Sequence, residues 1–214
     1  ETNLGIMQIN PKYTNEGKRK VLAEFFNEKK IGDASKPVAA TSYDIEKRTP
    51  VLLTSYGDPE ISVVDVGDAT SAAPVYYPTA EVGDRYLIDG GIVANHPVLH
   101  GYVEAKNIYP NSELVVLSVG TGLNKRPLKG KDSKKWGLIG WMMHDLFGLM
   151  VESSMDHELA EDLIGKNYLR VNSALGRVNR RLDDNSDSNI ERVVAMGESW
   201  WKLFGEKSLD LLSE

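Results

Sequence analysis

Between residues 16 and 30 the apolar positions Val21, Leu22, Phe25 and Phe26 recur at helical spacing among charged residues, which predicts an amphipathic helix ending near Gly32. The pattern then shortens. Residues 37–43 and 51–56 are apolar-rich runs with a polar stretch between them, and read as two strands joined by a loose hairpin. Residues 61–73 point two ways, because Val63 and Val64 favour a strand while the small residues up to Pro74 favour a short helix. Residues 85–88 form another short strand candidate. Beyond it Pro97 suits a helix first turn, and Leu99, Tyr102, Val103 and Lys106 trace one helical face. The continuous apolar run at 114–119 predicts a strand covered on both faces. An apolar stretch (136–151), an acidic helical segment (152–164) and a short strand (168–171) follow. The last helix carries the strongest signals. Ser188 and Glu191 have capping-box spacing, and Ile190, Val193, Val194, Trp200, Trp201 and Phe204 share a stripe.

Strands alternating with helices predict an α/β fold, with a central mixed or parallel sheet between helices. There is no internal repeat and no linker composition, so residues 1–214 are expected to belong to one domain. The first strand and Gly-rich turn that usually open a doubly wound sheet are not found.

Composition narrows the function classes. Apolar residues are 41% and charged residues 26% of the 214, which is globular rather than disordered or fibrous. A net charge of −6 argues against a nucleic-acid partner, which calls for a basic surface to displace phosphate counterions. Cysteine is absent, so thiol nucleophiles, disulfides and cysteine zinc sites are excluded together. No apolar run is long enough to span a bilayer, since the longest is cut by His144 and Asp145. The compartment stays open between cytoplasm and exterior, with a peripheral position at membranes among the expectations.

Each candidate motif has an ordinary reading beside a chemical one. Asp89-Gly90-Gly91 after a strand is a hairpin-turn signal, or else a carboxylate held at a strand end by glycines that permit close backbone approach. LSVGTG at 117–122 could cradle phosphate, but it lacks the Lys-Ser/Thr of a P-loop. His96 and His100 are four residues apart and could share a helix face as a metal pair, yet no third ligand is evident and two surface histidines are the simpler reading. Trp136 and Trp141 flank a strongly apolar stretch that reads either as core or as a lid over an apolar substrate.

In series the motifs say more than they do singly. DATSAAPVYYP at 68–78 is followed by LIDGG at 87–91, ANHP at 94–97 and LSVGTG at 117–122. PVAATSYD at 37–44 precedes them, and KNYLRV at 166–171, LDDNS at 182–186 and the closing helix come after. The chain from Pro11 onward resembles the C-terminal part of the patatin-like phospholipases, or lipid acyl hydrolases.

The resemblance implies an α/β fold and a Ser–Asp dyad acting on phospholipid or another acyl lipid, with no cofactor and no metal. Its aspartate corresponds to Asp89, supported by Gly90 and Gly91. Its serine belongs to a Gly-x-Ser-x-Gly elbow, preceded by a Gly-rich oxyanion loop. Neither is present here: Ser199 has Gly197 two residues before it but Trp201 two after, and no other serine has even the first glycine. The chain is therefore expected to supply the Asp half of a dyad, to be inactive alone, and to have the N-terminal part of the same domain as its partner. The alternative is a catalytically incomplete relative kept as a storage or interaction protein. For a lipid hydrolase, Trp141 and Phe147 are the expected contacts to an acyl chain or membrane surface, with Lys131, Lys134 and Lys135 placed to meet anionic head groups.

Overall fold

Two compact units make up the chain, Glu1–Asn95 and His96–Glu214. The computed structural model describes residues 10–144, 146, 148–149 and 156–213. Phe147 lies outside the described residues.

In the first unit, helix α1 (Glu16–Phe26) begins where expected and is followed by a 3-10 turn at Ile31–Asp33. Strands β1 (Ala39–Asp44) and β2 (Thr49–Thr54) form the anticipated hairpin. Buried Asp44 stabilises its turn, accepting the N–H groups of Glu46 and Lys47 at 3.0 and 2.9 Å. The two-way segment resolves as helix α2 (Val63–Thr70), capped by Ser62, whose Oγ accepts the Asp65 N–H at 3.0 Å. Strand β3 (Ala80–Val82), which the sequence pattern does not reveal, turns at Gly83 (φ +62°) into β4 (Arg85–Asp89). Short helix α3 (Gly91–Ala94) closes the unit.

The sheet order is β2-β1-β4-β3, antiparallel throughout. Its core joins Leu53 and Leu87 from the strands to Val66, Ala69 and Ala72 of the α2 region, with Ile31, Ala80 and Val82 around them. Small residues along α2 permit this close approach to the sheet; on its other side Gly67 meets Leu22 of α1, where a Cβ would stand 3.0 Å from Leu22 Cδ2.

The second unit contains α4 (Val98–Ile108), β5 (Val116–Val119), α5 (Gly130–Ser133), α6 (Leu138–Met143), α7 (Asp156–Ile164), β6 (Tyr168–Val171) and α8 (Asp187–Ser213). β5 and β6 pair in parallel, Val116 opposite Tyr168 through Val119 opposite Val171. The α/β class thus holds, with antiparallel pairing in the first unit and parallel pairing in the second.

Two helix-level expectations change. α8 starts at Asp187, so Ser188 lies inside it rather than at the cap; the carbonyl of Ser186 accepts the N–H groups of Asn189 and Ile190 at 2.9 Å each. Much of its apolar stripe is exposed, with Ile190, Val193, Val194 and Trp201 open to solvent. On α1 Phe25 is likewise 75% exposed. Among the described residues no helix is long and apolar enough to cross a membrane.

Candidate active site around Asp89

Asp89 is the last residue of β4, paired with buried Ser42 of β1. Its N–H donates to Ala72 O at 3.1 Å, tying the strand end to the segment after α2. The chain does not reverse here. Gly90 is in ordinary right-handed conformation (φ −70°, ψ −11°) and leads into α3, so the hairpin reading of Asp-Gly is corrected. The hairpin of this region lies at Gly83 instead.

Gly90 is required by contact rather than by dihedral. A Cβ there would lie 2.3 Å from both the carbonyl oxygen and Oγ1 of Thr41. Thr41 cannot easily retreat: it is paired with Leu52 of β2, and its carbonyl also accepts the Thr70 hydroxyl at 2.6 Å. Gly91 serves the carboxylate. Its N–H donates to Asp89 Oδ1 at 2.7 Å, and a Cβ at this position would stand 3.1 Å from that oxygen. Among the described residues this is the one hydrogen bond the carboxylate accepts, which leaves Oδ2 for another donor.

Burial holds the Asp89 carboxyl above the ordinary carboxylate range, opposed by the Gly91 N–H and the positive charge of Lys18. A half-buried carboxylate with raised proton affinity and one open oxygen is equipped to take a proton from a hydroxyl.

Around it lies an ionic cluster that sequence reasoning missed. Asp68 of α2 is almost fully buried and meets Lys18 Nζ at 2.9 Å and Arg19 Nη1 at 3.0 Å. Asn15 donates to it at 3.1 Å, and Arg19 also reaches Asp65 at 2.7 Å. These partners stand about fifty positions apart in the chain, so no spacing rule links them. The available clue is an Asp followed by Ala-Thr-Ser-Ala-Ala, a carboxylate set in a segment of small, close-packing residues.

The remaining candidates lie in the second unit. Trp141 is half-buried and meets Trp136 edge to face at 5.2 Å; Trp136 in turn stacks on His144 at 3.8 Å. Lys131, Lys134 and Lys135 are exposed. His96 precedes α4 rather than sharing a face with His100, and its Nδ1 accepts the Arg170 guanidinium at 2.7 Å. A metal at that nitrogen would have to displace a cation. Among the described residues no group of three or more potential ligands could hold a metal ion. The glycines of LSVGTG pack on Asn172: a Cβ on Gly120 would lie 2.5 Å from its Cγ, and Gly122 N–H donates to its Oδ1 at 2.9 Å.

The family model for the patatin-like phospholipases matches residues 1–101, a span that includes Asp89, both glycines and the ionic cluster. Patatin-03 of Solanum tuberosum is 30% identical over 231 aligned positions, covering 90% of this chain. The chain is similar to the patatins over most of its length. Other patatins resemble it to a similar degree: "Probable inactive patatin-3-Kuras 1" of the same plant is 28% identical over 92% of the chain, and "Patatin-like protein 1" of Arabidopsis thaliana 27% over 88%. The chain spans 59% of the length of Patatin-03, 63% of the Kuras protein and 55% of the Arabidopsis one.

Proposed function

We propose that this patatin-like chain supplies the base of a lipid acyl hydrolase, with Asp89 as the carboxylate of a Ser–Asp dyad whose serine and oxyanion loop belong to another part of the domain. The observation that carries the reading is Asp89 itself, fixed at a strand end by Gly90 and Gly91, with one oxygen open and a raised proton affinity.

A serine hydroxyl is a weak nucleophile until a base removes its proton. In the proposed cycle Asp89 accepts the serine proton as Oγ bonds to the ester carbonyl carbon. The tetrahedral intermediate collapses, the acyl–alkoxy bond breaks, and the proton passes to the departing alcohol. Water then attacks the acyl-serine, giving its proton to Asp89, and the fatty acid leaves as the serine is re-protonated. Backbone N–H donors for the oxyanion belong to the other part of the domain, and losing even one such donor typically costs about 10²–10³ in rate. This chain alone is therefore inactive in our reading.

The substrate is a phospholipid or another acyl lipid. The exposed Ile139, the aromatic pair Trp136–Trp141 and the lysines before them suit contact with a membrane surface, Trp being favoured at the lipid–water boundary. The open apolar faces of α1 and α8 suit packing against the rest of the domain, the partner this reading requires. A second reading, a catalytically silent relative, draws on the relative named as probably inactive and on the lack of a Gly-x-Ser-x-Gly elbow in these residues.

Complementation tests the proposal. This polypeptide alone should not cleave a short-chain nitrophenyl ester, and co-expression with a segment bearing the elbow and oxyanion loop should restore cleavage. Hydrolysis by the isolated chain that survives Asp89→Asn would overturn it.

A further inference from the structure

Lys18 is buried to an extent unusual for lysine, its side chain only 14% exposed. Its ammonium uses its donors on one short stretch of chain: the carbonyls of Asp68 and Ser71 at 3.0 and 3.1 Å, and the Asp68 carboxylate at 2.9 Å. It also sits 4.4 Å from the ring centroid of Tyr77. Ser71 directly precedes Ala72, whose carbonyl receives the Asp89 N–H. One cation therefore gathers the C-terminal end of α2, the following turn and the aromatic residue beyond it, and that turn in turn anchors the strand end bearing Asp89. We propose that Lys18 is the positioning residue for Asp89, holding the α2 turn on which its backbone rests.

The charged groups on the elements around the Asp89 strand end are largely paired with one another. α1 brings Lys18 and Arg19, and α2 brings Asp65 and Asp68, two cations against two carboxylates. From β1, Asp44 is engaged with its own turn and lies 3.9 Å from Lys47. The turn after α2 contributes Tyr76 and Tyr77, and α3 carries no ionisable side chain. Of these groups Lys18 is the one whose charge acts on Asp89, so removing it disfavours the ionised form whether or not Asp68 is charged.

The inference rests on Asp89 being the base, but its test is arranged so that the two ideas can fail separately. In the full-length protein, the Asp89 carboxyl would be followed by carbon NMR titration in parent, Lys18→Met, Lys18→Arg and the double variant Lys18→Met/Asp68→Asn. The double variant removes the buried carboxylate that Lys18→Met leaves short of a partner, and keeps the test open if the single variant does not fold. Asp89 should titrate at higher pH in both Met variants and near the parent value in Lys18→Arg. Ester hydrolysis should follow: lower in the Met variants at every pH as Asp89 loses its anchor, and about tenfold lower still on the acidic limb, because only the ionised base works. A purely structural role would lower the rate equally at every pH. An unchanged Asp89 titration in a folded Met variant overturns the role of Lys18, whatever the activity. A shifted titration with an unshifted rate profile upholds the coupling and overturns Asp89 as the base.

Discussion

Gly90→Ala is a one-carbon change whose cost can be worked from the contacts. The new Cβ would sit 2.3 Å from Thr41 O and from Thr41 Oγ1, and 2.4 Å from the carbonyl carbon. An ordinary carbon–oxygen contact needs roughly 0.9 Å more, and inserting a methyl into a site that cannot relax costs about 1–3 kcal/mol or more. Relaxation is opposed from both sides. Thr41 is paired with β2 and accepts the Thr70 hydroxyl, while Gly90 is bracketed by the Asp89–Ala72 hydrogen bond and the start of α3. The upper end, about 3 kcal/mol, is therefore expected, equivalent to a melting temperature lower by roughly 6–12 °C in a chain of this size. Whatever movement does occur displaces Asp89, so activity should fall further than stability. Gly91→Ala is the contrasting variant: its Cβ is tight only against a movable carboxylate oxygen at 3.1 Å, with Asn95 Oδ1 at an ordinary 3.6 Å, so stability should change little while Asp89 is disturbed. Thermal melts and ester hydrolysis on both full-length variants provide the comparison. A Gly90→Ala protein melting within about 2 °C of parent, with unchanged turnover, would refute the packing argument.

Three further outcomes are expected. Because the native Asp89 carboxyl lies above its unfolded value, the folded state holds a proton that the unfolded state has lost as pH rises through that window; Asp89→Asn should therefore stabilise the fold at about pH 8 and give no such gain near pH 3, as read by urea unfolding at each pH. His96 runs the other way. Burial and Arg170 hold its proton affinity below the ordinary imidazole value of 6.5, so stability falls as pH drops below that value, and His96→Gln should flatten the decline in the same assay. Trp141→Ala should weaken binding of the full-length protein to vesicles containing anionic lipid while changing its melting temperature little; unchanged binding with a lowered melting temperature would identify the Trp136–Trp141–His144 stack as core.

Local chemistry was legible where it acts alone. The strand Tyr168–Val171 and the start of α1 at Glu16 follow directly from periodicity and composition. Misreadings arose where the outcome depends on residues distant in sequence. Asp89-Gly90 has the composition of a hairpin turn, yet the glycine answers to Thr41 across the sheet rather than to a left-handed backbone. β3 is three residues long, too short for an alternating pattern to register. Ser188 and Glu191 match capping-box spacing, but the buried Asn189 accepts the Asn179 N–H and donates to Asp184 O, fixing the preceding loop so that the helix opens at Asp187. The stripe on α8 predicts a surface that must be covered and not what covers it. At the candidate site, Asp89 and its glycines could be named from sequence. Asp68, Lys18 and Arg19 could not, because their significance comes from burial and from a charge balance assembled across α1 and α2.

The central claim is that Asp89 is the proton acceptor in ester cleavage, and steady-state hydrolysis of a short-chain ester by the full-length protein tests it most directly. Asp89→Asn keeps an acceptor for the Gly91 N–H but cannot take the serine proton. With the variant folded, kcat should fall by about 10²–10⁴, the usual contribution of a general base. Turnover within about twofold of parent in the folded variant would contradict the account.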